Sequence, residues 1–78
     1  MTQQELNQIA KTLHAAAVSR VGGKKAWGRM AREAKAEAVE VEAWRAVSFR
    51  WRPNAPDVWM SDVVQAMPLV YAALNAED

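Results

Sequence analysis

The sequence predicts a mainly α, single small domain of three or four helices spanning residues 1–78, and three observations carry that expectation. Apolar residues recur at three- and four-residue steps from Leu6 to Ala17, from Trp27 to Trp44 and from Val63 to Leu74, the spacing that places side chains on one face of a helix. The chain breakers fall between these runs, at Gly22, Gly23, Pro53 and Pro56. Finally, 78 residues with 51% hydrophobic and 24% charged composition have the balance of one globular domain.

The first helix has legible ends. Thr2 followed by Glu5 reads as a capping box, in which a hydroxyl and a carboxylate satisfy backbone donors at a helix start. Leu6, Ile9, Ala10, Leu13 and Ala17 then share a face, and "VGG" closes the helix because glycine accepts the left-handed backbone of a C-cap.

From Lys24 the period is helical again, with Trp27, Met30, Ala31, Ala34, Ala38, Val41 and Trp44 forming a stripe. Two readings stay open here: one helix reaching about Arg45, favoured by the strong helix formers of "AREAKAEA", or two helices with a turn near Lys35. Gly28 costs about 1 kcal/mol relative to Ala in a helix interior, so it is read as a mark of close packing.

The next segment changes period. Val47, Phe49 and Trp51 alternate with Ser48, Arg50 and Arg52, the two-residue repeat of a half-buried strand. "PNAPD" follows as a turn, after which Val58 and Met60 either complete one short β-hairpin between Val47 and Met60 or lead into the last helix. Ser61 or Asp57 can cap that helix, whose apolar face draws on Val63 or Val64, Met67, Val70 or Tyr71, and Leu74. Pro68 removes a backbone donor and crowds the carbonyl four residues back, so a kink or a break is expected there. The expected core is Leu6, Ile9, Leu13, Trp27, Met30, Val41, Val64, Met67 and Leu74.

With no cysteine and one histidine, the chain has no disulfide framework and no cluster of zinc ligands, and no cofactor is expected. A domain this short buries only about 60% of its unfolded surface, so a homo-oligomer or a protein partner is the expected support. The polar N-terminus lacks the charged and apolar regions of a signal peptide, no run of residues is long and apolar enough to span a membrane, and a cytoplasmic location is expected. A net charge of +1 leaves any electrostatic role to local patches.

One such patch lies beside a motif. Met30, Ala31, Ala34, Ala36, Val41 and Trp44 fall at positions suited to a helix-turn-helix, and the preceding "GGKKAWGRMA" resembles the approach to that motif in small phage repressors of the Cro kind. The resemblance implies a DNA-binding transcriptional regulator, helix-turn-helix or winged-helix, in which Lys24, Lys25, Arg29 and Arg32 hold phosphates. The chain departs from the pattern at the turn, where Lys35 stands in place of the usual glycine. It departs again on the reading face, which would carry Glu37, Ala38, Glu42 and Ala43. Carboxylates set against a duplex are repelled by it, and the competing reading is a solvated helix face.

"WRAVSFRWR" is the other candidate. Trp44, Phe49 and Trp51 interleave with Arg45, Arg50 and Arg52, and Trp and Arg are the residues most used as interface anchors. Single-stranded nucleic acid could use the same mixture by stacking and phosphate contact. Four tryptophans exceed what so small a core can bury, so at least one is expected at the surface. Catalytic groups are sparse: His14 sits at the edge of an apolar face, with no cysteine in the chain and no serine or aspartate placed nearby in sequence to pair with it.

These readings lead to a non-enzymatic protein-binding module that occupies a surface on a partner protein through Trp44, Phe49, Arg50, Trp51 and Arg52. In style, as a compact cysteine-free chain rich in Ala and Trp, it is similar to the small inhibitors and regulators encoded by phages and other mobile elements.

Overall fold

The computed structural model describes residues 2–48 and 60–76. Four helices make up the described fold: α1 (Gln3–Arg20), α2 (Lys24–Gly28), α3 (Arg32–Ser48) and α4 (Met60–Ala76). The mainly α expectation holds, and there is no strand among the described residues. The short hairpin, one of the two readings for Val47 to Met60, has both of its ends in helix, Val47 in α3 and Met60 in α4. Its remaining residues, 49–59, lie outside the described ones.

Helix α1 begins and ends as its sequence dictates. The Thr2 hydroxyl accepts from the Glu5 N–H at 3.1 Å and donates to the Glu5 carboxylate at 3.1 Å, so one side chain fixes the first turn. At the other end Gly23 N–H donates to the Val18 carbonyl at 2.9 Å and Gly22 N–H to that of Ser19 at 3.2 Å, the paired bonds of a Schellman close. Gly22 and Gly23 have φ of +116° and +103°, a region that side chains with a Cβ rarely adopt.

Between Lys24 and Ser48 the structure corrects both sequence readings. The segment is two helices, but they part at Arg29–Ala31, ahead of Lys35, which lies inside α3 with its N–H on the Ala31 carbonyl at 3.0 Å. Arg29 and Met30 donate to carbonyls three residues back, tightening the end of α2. The reason for the break is one of phase. Val39, Glu42, Ala43 and Ala46 form the buried face of α3, while Trp27 is the buried residue of α2. At about 100° per residue, Trp27 would stand roughly 110° round an unbroken helix from the centre of that face. Interrupting the helix lets both reach the core. Gly28 ends α2 with open space where a Cβ would stand, so it marks the break and not close packing.

Helix α1 is the hub, packing against each of the other three, and α3 also packs against α4. The core is Ile9, Ala10, Leu13, Ala17, Trp27, Val39, Ala43, Ala46, Val63, Ala66, Val70 and Leu74, with Leu6, Met30 and Met67 packed at its margin. Two expected core residues are not in it: Val41 is 42% exposed and Val64 61% exposed. Both stand one helical position away from the buried face, Val41 because a stripe drawn from Trp27 runs out of phase across the break.

Pro68 sits inside α4, which continues through it without a break. It is exposed, as is Val64 one turn earlier, so water can reach the carbonyl that the missing N–H leaves unpaired. Ser61 lies within the first turn of α4 and does not cap it; Asp57 lies outside the described residues.

Candidate functional site

The anchors expected from sequence begin at Trp44, which α3 presents to solvent with 64% of its surface exposed. Phe49, Arg50, Trp51 and Arg52 lie outside the described residues. Beside Trp44, across the line where α3 meets α4, stand Val64 and Tyr71, 61% and 36% exposed. A groove of about 190 Å³ runs between the two helices, lined by Glu40, Ala43, Trp44, Val63, Val64, Met67 and Tyr71. Buried Val63 and Ala43 and half-buried Met67 give it an apolar floor.

A polar contact joins the two walls of the groove. Tyr71 Oη donates to Glu40 Oε1 at 2.7 Å, tying α4 to α3. Burial raises the Tyr71 pKa above its ordinary value of 10.0, and the Glu40 hydrogen bond and negative charge push in the same direction. The phenol is therefore a donor throughout the physiological range.

Charge is divided between the two sides of the molecule. Glu33, Glu37, Glu40 and Trp44 follow one another at steps of four, three and four residues and form a single ridge of α3, all exposed. Helix α4, which walls the groove opposite, contains Asp62 and no Lys or Arg. The cations of the α2 side are Lys24 and Lys25 on α2, Arg29 in the turn and Arg32 at the start of α3, all exposed. Among the described residues the groove face is acidic and apolar, and the α2 side is basic.

Of the two carboxylates expected on the reading face of a helix-turn-helix, Glu42 is in fact buried, at 1% exposure. Its Oε1 accepts from Arg20 Nε at the end of α1, a half-exposed guanidinium that neutralises it. Arg20 is thereby engaged in a structural pair. Lys35 likewise stands over the Trp27 ring, 5.6 Å from its centroid. His14 meets the same ring edge-on at 5.2 Å, a packing use of the sole histidine.

Sequence reasoning finds Trp44 but misses Glu40, Val64 and Tyr71 as its neighbours. The available signal is the phase of α4: Val63, Ala66, Val70 and Leu74 are the buried set, which leaves Val64 and Tyr71 turned outward. Among the described residues no group of three or more His, Cys, Asp or Glu side chains comes together as a metal site, and no helix is long and apolar enough to cross a membrane. Comparison with protein-family models, with curated proteins and with solved structures finds no match to this chain.

Proposed function

We propose that this chain is a small non-enzymatic protein-binding module, an inhibitor or regulator of the phage or mobile-element type, that acts in the cytoplasm by occupying a surface on a partner protein. One observation carries the reading: Trp44, Val64 and Tyr71 stand exposed together on two adjacent helices, outside the core that the described residues form. Folding gains nothing from a tryptophan left mostly in water, whereas clustered exposed aromatic and aliphatic side chains are what interfaces bury. The neighbouring sequence Phe49, Arg50, Trp51 and Arg52 has the composition to extend such an anchor set. A homodimer through the same face is the alternative use of it.

The test is affinity capture from the cell that expresses the protein, with three baits: the wild type, Trp44→Ala, and Arg29→Glu with Arg32→Glu. Loss of a tryptophan anchor costs about 2 kcal/mol or more, enough to remove a partner from a washed resin. A partner retained by the charge-reversed bait and lost by Trp44→Ala supports the reading; the opposite pattern overturns it.

The second reading, a helix-turn-helix or winged-helix DNA-binding regulator, rests on the exposure of Lys24, Lys25, Arg29 and Arg32 around the α2–α3 turn. The outer ridge of α3 would then set Glu33, Glu37 and Glu40 against the duplex, which favours attachment through the α2 side and without base reading. Fluorescence anisotropy with mixed-sequence duplex DNA at low and moderate salt tests it. Binding that collapses with salt and with the Arg29→Glu, Arg32→Glu double substitution supports it, and no binding at low salt removes it.

A further inference from the structure

We infer that the α3–α4 groove receives an amphipathic helix whose apolar face is flanked by lysine or arginine, contributed by a different protein. The inference rests on the protein-binding reading above and names the chemistry of the partner. Its basis is the character of one continuous face. The groove floor is apolar and Glu40 lines its α3 wall, while Glu33 and Glu37 stand exposed along the same α3 ridge by their spacing, Glu37 also reaching the α1–α3 groove.

Helix α4 supplies no cation to offset these carboxylates, because it contains neither Lys nor Arg. Arg45, next to Trp44, points towards the α1 flank, since one residue is about 100° of rotation and Glu42, three residues earlier, is on that side with Arg20. A neutral apolar helix would fill the groove but leave the ridge unanswered. A helix with cations on one flank meets both, the apolar contact supplying affinity and the charge supplying encounter and orientation.

A second copy of the chain fits less well. Four of its eight described cations, Lys24, Lys25, Arg29 and Arg32, cluster around α2 and the turn after it, where Trp27 is buried and no large apolar side chain is exposed among the described residues to enter the groove.

Two synthetic amphipathic helices test the inference, sharing one leucine face and flanked in one case by lysine and in the other by glutamate. Each is titrated into the full chain by calorimetry and by two-dimensional amide NMR. The lysine peptide should bind saturably, shifting the Trp44 indole N–H and the amides around Val64 and Tyr71, and the glutamate peptide should bind about tenfold more weakly or not at all. Replacing Glu33, Glu37 and Glu40 together by glutamine should weaken the lysine peptide by about tenfold. In that variant the side-chain amide at position 40 keeps a carbonyl for the Tyr71 hydroxyl while the charge is gone.

Equal binding of both peptides at Trp44 overturns the cationic partner and leaves the protein-binding reading standing. Lysine-peptide binding untouched by Trp44→Ala, or shifts confined to α1 and α2, overturns both. Shifts at Trp44 that follow the chain's own concentration without peptide make a second copy the occupant and overturn the inference.

Discussion

Glu42, buried to 1% exposure at the middle of α3, accepts a hydrogen bond from Arg20 at the last turn of α1. Both side chains line a groove between α1 and α3 together with Ala17, Val21, Glu37, Ala38 and Val41, and their pairing ties α1 to α3. A charge in that position is tolerated only while its partner is present.

Removing the guanidinium should therefore cost more than removing both groups. Arg20→Ala is expected to destabilise by about 1–3 kcal/mol, less than the roughly 3–5 kcal/mol of a fully buried pair, since half of the Arg20 side chain remains in water. Arg20→Met with Glu42→Leu should recover most of that loss. Urea unfolding of the two variants and the wild type checks this, and a double substitution no more stable than Arg20→Ala would count against it.

Tyr71 is the sole tyrosine, so the absorbance titration of the folded chain reads one group. Its midpoint should lie above 10.0, and should move down in Glu40→Gln, which removes the negative charge but not the burial. The linkage has a definite sign. A pKa raised by folding contributes stability that is full below the unfolded value and is lost as pH rises through the folded one, so Tyr71→Phe should flatten a decline in stability confined to pH above about 10.

Pro68 lies exposed within α4, where proline costs about 3 kcal/mol relative to alanine in a regular helix. Pro68→Ala should raise stability by about 1–3 kcal/mol, the smaller end applying if the helix has already adapted to the missing bond. Thermal unfolding followed by circular dichroism measures it; a destabilised variant would mean that the proline has a packing role.

The glycines should divide by backbone conformation. Gly22→Ala and Gly23→Ala force a Cβ into positive φ and should each destabilise by about 1 kcal/mol or more, even though the nearest side-chain atom to a Cβ at Gly22 is at an ordinary 3.5 Å. Gly28→Ala meets nothing within 4 Å and should be neutral or stabilising by up to about 1 kcal/mol. Chemical denaturation of the three variants separates these outcomes.

Much of the fold is legible where local rules act alone. Thr2, Glu5 and the Gly22–Gly23 pair delimit α1 because capping and positive φ are decided by residues a few positions apart. The phase of α3 is not legible, because a stripe drawn from Trp27 assumes an unbroken helix and the break at Arg29–Ala31 answers a tertiary demand, the burial of Trp27 against α1. Glu42 is hidden for a related reason: a carboxylate reads as a solvent-facing residue until Arg20, distant in sequence, is seen beside it. Trp44 is foreseeable as an anchor from its type, but its partners Val64 and Tyr71 belong to another helix, where periodicity alone admits them to the core stripe.

On the proposed function, the chain works through the face around Trp44. Site-specific photo-crosslinking in the native cell addresses it most directly, with benzoylphenylalanine placed in turn at the exposed positions 44, 64, 25 and 29. Discrete protein adducts from positions 44 and 64, and none from 25 and 29, are what the account predicts. Adducts formed only from 25 and 29, or with nucleic acid, would contradict it and move the functional surface to the basic side of the molecule.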